Sequence, residues 1–243
     1  TTTRHHEEAG WPTRRRQLQP TLDEFLPTVI GRFLKAVGKN KKSSGSRKER
    51  IHRSGPIRAV HRIDRETSGL LVFARTVPAG RILAEQFRQH TTKRKYLAIA
   101  VGRVGKGTVI SSLVRDRGDG RRGSADDGTG KHAVTHVQPC EHFGDEYTLV
   151  ECRLETGRTH QIRIHLAESG HPICGERVYA APRGSTLKDR SLAPRVALHA
   201  AELGFVHPVT GEDILFESRL PKDFQDVLRR LGKTCGRELV DER

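Results

Sequence analysis

The sequence predicts an α+β fold. Segments that alternate like strands outnumber those with helical spacing, and the two kinds are interleaved along the chain. Consecutive strand segments also read as pairs. No internal repeat is present.

Residues 1–20 are polar and irregular. In "PTLDEFLPTVIGRFLKAV", Leu22, Phe25, Leu26, Val29, Ile30, Phe33 and Leu34 recur at helical spacing, and Thr21 with Glu24 makes a capping box. Pro27 kinks that helix or delays its start. Residues 38–55, "GKNKKSSGSRKERIHRSG", are basic and rich in Ser and Gly, a composition that predicts a flexible insert. "GLLVFA" at 69–74 reads as a short buried strand. "VPAGRILAEQFRQH" reads as a helix with Pro78 at its first position and Ala79, Ile82, Leu83 and Phe87 on one face. "KYLAIAVG" at 95–102 alternates as a strand, with Leu97, Ile99 and Val101 on one side. Residues 115–130 form a polar, Gly-rich loop.

"HAVTHVQPC" and "DEYTLVECRLE" read as paired strands. "ETGRTHQIRIHLAESGHP" predicts a turn and a short helix, with Thr159 as N-cap, Gly170 as stop and Pro172 blocking continuation. "HAAELGFVHPVTGEDILFESRL" reads as a hairpin turning near Thr210 and Gly211. Pro221 then opens a last helix with Phe224, Val227, Leu228 and Leu231 inward.

A chain of 243 residues is long enough for a sizeable core and is read as a single catalytic domain over 1–243. Lys and Arg number 44 against 29 acids, a net charge of +15, and such a surface attracts polyanions. Aromatic residues make up 5 %, which excludes an aromatic-rich stacking platform. A membrane partner is not expected: no apolar stretch approaches the roughly 20 residues of a spanning helix, and the basic residues do not line one amphipathic helix. Four cysteines without a C-x-x-C pair read as reduced thiols, and no apolar leader segment is recognisable, so a cytoplasmic location is expected. The chain contains no Met, so further sequence is expected upstream.

Metal binding is the first chemistry to weigh, because there are 13 histidines. His160, His165 and His171 are the tightest group, with Cys174 beyond. On a helix, residues five apart lie roughly 140° apart, so His160 and His165 cannot share a face, and no metal site is expected. No Cys has a recognisable His partner, and no phosphate-binding loop of the G-x-x-x-x-G-K-[ST] type occurs. Paired acids of the glycosidase kind are also missing. What remains is Asp64, a lone acid in "AVHRIDRETSGLLVFART" between Arg62 and Arg65. By itself such a residue is a solvated ion pair that adds little stability. Tyr96 by itself is a strand-end packing residue, Arg163 a surface helix arginine and Arg62 a phosphate contact.

The joint pattern reads differently. "HRIDRETSGLLVFART", "KRKYLAIAVG", "ETGRTHQIRIHLAESGHPICGERVY" and "ALHAAELGFVHPVTGE" follow one another in that order. Together they resemble the RluA-type family of RNA pseudouridine synthases over roughly residues 57–231. The opening strand and Lys-Pro element of the family are altered ahead of Ala9, the insert at 38–55 is unusual, and no S4-like domain is expected in this chain.

The resemblance implies a pseudouridine synthase fold: a mixed, largely antiparallel sheet with flanking helices and a catalytic cleft. It implies isomerisation of uridine to pseudouridine in ribosomal or transfer RNA, with no cofactor, by a chain acting as a monomer. Asp64 matches the catalytic aspartate. Tyr96 matches the tyrosine that packs on the base and takes the C5 proton. Arg163 matches the arginine that pairs with the aspartate, and Arg62 the arginine that enters the stack when uridine leaves it. His61 and Thr67 are expected to shape the turn that carries Asp64. Gly157, Arg158 and Thr159 are expected to set up the helix start that aims Arg163. Arg65, Lys93, Arg94 and Lys95 are expected at phosphates, and Arg158, His160, His61 and Thr67 are also counted among the RNA-binding residues.

The chemistry suits these residue types. Neighbouring arginines favour the charged carboxylate, and either attack at C1′ or removal of a 2′ proton requires it. The base must be flipped out before reaction, and a planar guanidinium can fill the gap. Two other readings are an RNA-binding protein on an inactive synthase fold and a nucleosidase, and the second lacks a second acid.

Overall fold

The computed structural model describes residues 22, 25–30, 32, 57–125, 127–179, 187–234 and 238–239. The basic insert at 38–55 and the Thr21–Glu24 capping box lie outside them. The chain divides into two compact units. Among the described residues, the first holds those up to Arg65 together with Leu71–Gln89 and Val206–Glu212, and the second holds Glu66–Leu70, His90–Phe205 and those from Asp213 onward.

In the first unit, β1 (Arg58–Ala59) pairs antiparallel with β3 (Phe73–Ala74). Helix α1 (Val77–Arg88) follows at once. The Thr76 hydroxyl accepts from the Ala79 amide at 3.3 Å, and Pro78 sits in the first turn, where a missing N–H costs nothing. Leu83 and Gly80 are buried, whereas Ile82 is 44 % exposed. The inward stripe therefore runs through Ala79, Leu83 and Phe87 at four-residue steps, and Ile82 falls off it. Residues 25–30 are helical straight through Pro27. Phe25 and Val29 are exposed there, which leaves Leu22, Leu26 and Ile30 as the more covered side.

The second unit is a nine-stranded sheet in the order β10-β9-β4-β8-β7-β5-β6, with β2 added parallel to β9 and β11 antiparallel to β7. The strands are β2 (Ser68–Gly69), β4 (Lys93–Val101), β5 (Gly107–Val114), β6 (Gly123–Ser124), β7 (Lys131–Phe143), β8 (Tyr147–Leu154), β9 (Leu198–Val206), β10 (Asp213–Glu217) and β11 (Glu238–Leu239). The pairs β4–β8, β4–β9, β5–β6, β5–β7 and β7–β8 are all antiparallel, in keeping with the mixed, largely antiparallel sheet that the resemblance implies. β4 lies between β8 and β9, and Ala98 to Val101 are buried on both faces, so its alternation is lost where it is most central. β7 carries Pro139 in mid-strand. Register shifts there, from Pro139 opposite Val150 to Glu141 opposite Leu149, and a bulge is where a residue without an N–H is tolerated.

"GLLVFA" is not one strand. Ser68 and Gly69 join β9, Phe73 and Ala74 pair with β1, and Leu70–Val72 is irregular between them. The cause is Gly69. It has φ +106°, and a Cβ there would stand 2.2 Å from the Ala200 carbonyl oxygen. Only glycine permits that approach and that backbone.

Two helices complete this unit. α3 (Lys222–Thr234) buries Phe224, Val227 and Leu231. α2 (Gln161–Glu168) is buried from Gln161 to Ala167, so every polar group on it needs a partner. His165 is fully buried, with Nε2 2.9 Å from the Ser111 hydroxyl and Nδ1 2.9 Å from that of Thr135. Burial pulls its pKa down to about 4.

The unfolded chain takes up this proton first, near the ordinary value of 6.5. The contribution of neutral His165 is therefore whole above pH 6.5 and is lost as pH falls toward 4, about 3 kcal/mol in all. Urea unfolding across that window should show the slope, and His165→Asn, which takes up no proton, should flatten it.

Candidate active site

An arginine on a helix buried on all sides needs an acid. Arg163 finds Glu176: Nε donates to Oε2 at 2.7 Å and Nη2 to Oε1 at 2.8 Å, with the side chains 7 % and 1 % exposed. Oε1 also accepts from the amides of Arg177, Val178 and Tyr179 at 3.0, 2.8 and 3.2 Å. Burial opposes the charged form of Glu176, yet these hydrogen bonds, that of Arg163 foremost, hold its carboxyl below the usual range. The Tyr179 ring lies 5.3 Å from the Arg163 guanidinium carbon, and its hydroxyl is 2.7 Å from His160 Nδ1. Glu176 and Tyr179 were not singled out from the sequence. The signal was in the helix itself, since "QIRIHLA" buried all round demands a counter-charge.

His160, rather than Thr159, is the N-cap of α2, with φ 58° and no capping side-chain bond. Gln161 takes over the task. Its Oε1 accepts from the Thr156 hydroxyl at 2.8 Å and the Arg158 amide at 3.0 Å, and its Nε2 donates to the Val134 carbonyl at 2.9 Å and the Thr135 hydroxyl at 3.0 Å. All four capacities of the amide are used, and the turn before Arg163 is locked. A Cβ on Gly157 would stand 2.4 Å from Arg94 Nη1, so a side chain there would have to displace the end of that guanidinium.

The basic residues separate by partner. Arg94 is buried, with Nη2 donating to the Glu155 carbonyl at 2.9 Å, and burial pulls its pKa below the usual range. Lys95 pairs with Glu202 at 2.9 Å. Arg158 Nε donates to the His132 carbonyl at 3.1 Å. Lys93 is exposed. Tyr96, half-buried, sits beside a bulge: Lys95 faces Glu202 and Tyr96 faces Ala200, leaving Ala201 as the extra residue of β9. Bulges re-aim side chains next to sites. Ala200 thus has Tyr96 on one side and Gly69 on the other.

Asp64, half-buried, belongs to the first unit, as do the exposed Arg62 and Arg65. His61 braces their loop: Nε2 accepts from the Val72 amide at 3.0 Å, and the ring stacks on Phe87 at 4.3 Å between centroids. Thr67, Tyr96, Arg158, His160 and Arg163 belong to the second unit. Thr67 is buried, and its hydroxyl has no hydrogen-bond partner. The histidines weighed as metal ligands are engaged elsewhere, His171 through Nδ1 at 3.0 Å from the Val101 carbonyl. No group of three or more His, Cys, Asp or Glu among the described residues could hold a metal ion. No helix among them is long and apolar enough to cross a membrane.

Residues 19–168 match the family model described as RNA pseudouridylate synthase. The ribosomal large subunit pseudouridine synthase D of Neisseria meningitidis serogroup A is 43 % identical over 183 residues, 73 % of this chain and 49 % of that protein. The protein of the same name in Zymomonas mobilis is 42 % identical over 71 % of this chain and 55 % of its own. An RNA pseudouridine synthase of Bacillus subtilis named as uncharacterised, YlyB, is 42 % identical over 72 % and 55 %. The chain spans about half the length of these relatives. Among solved structures, human RNA pseudouridylate synthase domain containing 4 superposes with a TM-score of 0.62 at 27 % identity, covering 78 % of this chain and 80 % of that one.

Removing the Glu176 charge strands a buried guanidinium. Glu176→Gln should cost about 3 kcal/mol or more, read as a lowered urea midpoint, whereas Glu155→Gln at the exposed His136 pair should cost under about 1 kcal/mol.

Proposed function

This chain belongs to the RNA pseudouridylate synthase family, and we propose that it converts uridine to pseudouridine in structured RNA. One observation carries the reading: residues 19–168 match the family model, and that segment holds Asp64, Tyr96 and Arg163, whose surrounding motifs resemble those of the family. The names of the relatives make large-subunit ribosomal RNA the first substrate to try, with transfer RNA as the second arm. The cytoplasm is the location that goes with this proposal.

In this proposal Asp64 is the reactive carboxylate, acting on the ribose either at C1′ or at the 2′ proton. Both routes need it ionised. The glycosidic bond breaks, the uracil turns, and C5 bonds to the ribose in place of N1. Tyr96 stacks on the base and takes the C5 proton to its phenol oxygen. Arg62 fills the gap in the RNA stack left by the flipped nucleotide. Arg163 is the cation that pairs with the reactive carboxylate, and its engagement with Glu176 fixes where its guanidinium is held. Lys93 and Arg65, both exposed, meet phosphates. His61, which braces its own loop, and Lys95, held by Glu202, act by shaping the surface.

RNA tritiated at uridine C5 tests this directly. The chain should release tritium from ribosomal RNA transcripts. Asp64→Asn should lower release by roughly a hundredfold or more while RNA affinity stays within a few fold. RNA retained by the wild-type chain without any release would identify an RNA-binding protein on an inactive synthase fold, and free uracil would identify a nucleosidase. Tyr96→Phe keeps the stacking face and loses the phenol. It should lower turnover by roughly a hundredfold with little change in affinity.

A further inference from the structure

A polar network outside the candidate residues surrounds Arg195, three residues before β9. Its Nε donates to Asp223 Oδ2 at 2.6 Å and its Nη2 to Oδ1 at 3.0 Å, a two-pronged grip on the first turn of α3. Nη1 donates to the Glu66 carbonyl at 2.8 Å and the Val196 carbonyl at 3.2 Å. Nη2 also donates to the Ser68 hydroxyl oxygen at 3.1 Å.

The chain of bonds continues in one direction. The Ser68 hydroxyl donates to His199 Nδ1 at 2.9 Å, and His199 Nε2 donates to the Ser218 carbonyl at 3.2 Å. That polarity assigns the proton of a neutral His199 to Nε2. It also leaves the Ser68 oxygen free to accept from Arg195. His199 is buried, and so the network cannot be replaced by water at that end. Beyond it the Leu70 amide donates to the Ala200 carbonyl at 3.0 Å, and Gly69 lies in contact with the same carbonyl.

The segment Glu66–Leu70 is thus tied at a carbonyl, a hydroxyl and a parallel strand pair, all within the second unit. Glu66 and Ser68 follow Asp64 by two and four residues in the chain. A carboxylate that must meet one atom of a ribose needs its backbone fixed, because a shift of about 1 Å can cost a hundredfold in rate. Only arginine offers enough donors in one plane to hold Asp223, Glu66 and Ser68 together.

We propose that Arg195 is a positioning residue for the reaction assigned above: with Asp223 and Ser68 it fixes the backbone that leaves Asp64, and so sets the aim of the carboxylate. The proposal rests on that functional reading, and its test has one arm that does not.

Hydrogen exchange at the amides of 66–70 should be compared in the wild-type chain, Arg195→Lys and Phe143→Leu, together with RNA affinity and single-turnover tritium release. Phe143→Leu is a core truncation in β7, outside the network, and should lower the melting temperature. Arg195→Lys should lose protection at 66–70 while β7 and β8 keep theirs. Its turnover should fall by about tenfold to a hundredfold with affinity within a few fold, and Phe143→Leu should keep its turnover. Unchanged exchange at 66–70 overturns the proposal, and so does loosened exchange with undiminished turnover. Should Arg195→Lys not fold, Ser68→Ala, which removes only the bridging hydroxyl, carries the same readings. A wild-type chain that releases no tritium sinks the functional reading alone, and exchange at 66–70 still decides whether Arg195 holds the segment.

Discussion

Arg163 and Glu176 leave water together, and much of the second unit is arranged so that they can. Desolvating either charge without the other costs several kcal/mol, and even the pair is tolerable only when its remaining lone pairs are used. The chain meets that demand by wrapping 175–179 around the carboxylate so that three amides face one oxygen. The wrap in turn needs Gly175, where φ is +79° and a Cβ would stand 2.2 Å from the Arg195 carbonyl oxygen. Helix α2 is then held between this loop and the sheet, with His165 and Gln161 bonded to β5 and β7. The ion pair does not make the fold stable so much as leave it one arrangement.

The basic character of the chain resolves into two populations. Arg94, Arg163 and Arg195 point their charge inward, to a carbonyl, an acid and a network of both. Arg62, Arg65 and Lys93 are exposed. The first group organises backbone, and only the second adds to the field that a polyanion meets at a distance. The net charge of +15 counts both populations alike.

What the sequence made legible follows the same division. β4, α1 and α3 could be read because a local period and a local cap or proline define them. The split of "GLLVFA" could not, because it is imposed by Ala200, far along the chain, through a glycine whose tolerance for close approach leaves no periodic trace. Arg163 was legible as part of a motif, but Glu176 was not, since pairing at that separation depends on how the chain turns after α2. Lys93 and Lys95 look alike in sequence, and only the cross-strand residue Glu202 tells them apart. The N-cap of α2 went to His160 because a glutamine inside the helix, rather than a hydroxyl before it, satisfies the turn.

The parallel pairing of β2 with β9 has a consequence in time. Ser68 and its partner His199 are 131 residues apart in the chain. Loop closure over such a distance comes late in folding, after local hairpins such as β7–β8 have formed. During synthesis the segment that follows Asp64 has nothing to dock on until residues 195–200 have left the ribosome. A nascent chain can thus complete most of its sheet while Asp64 still leads into an unanchored stretch.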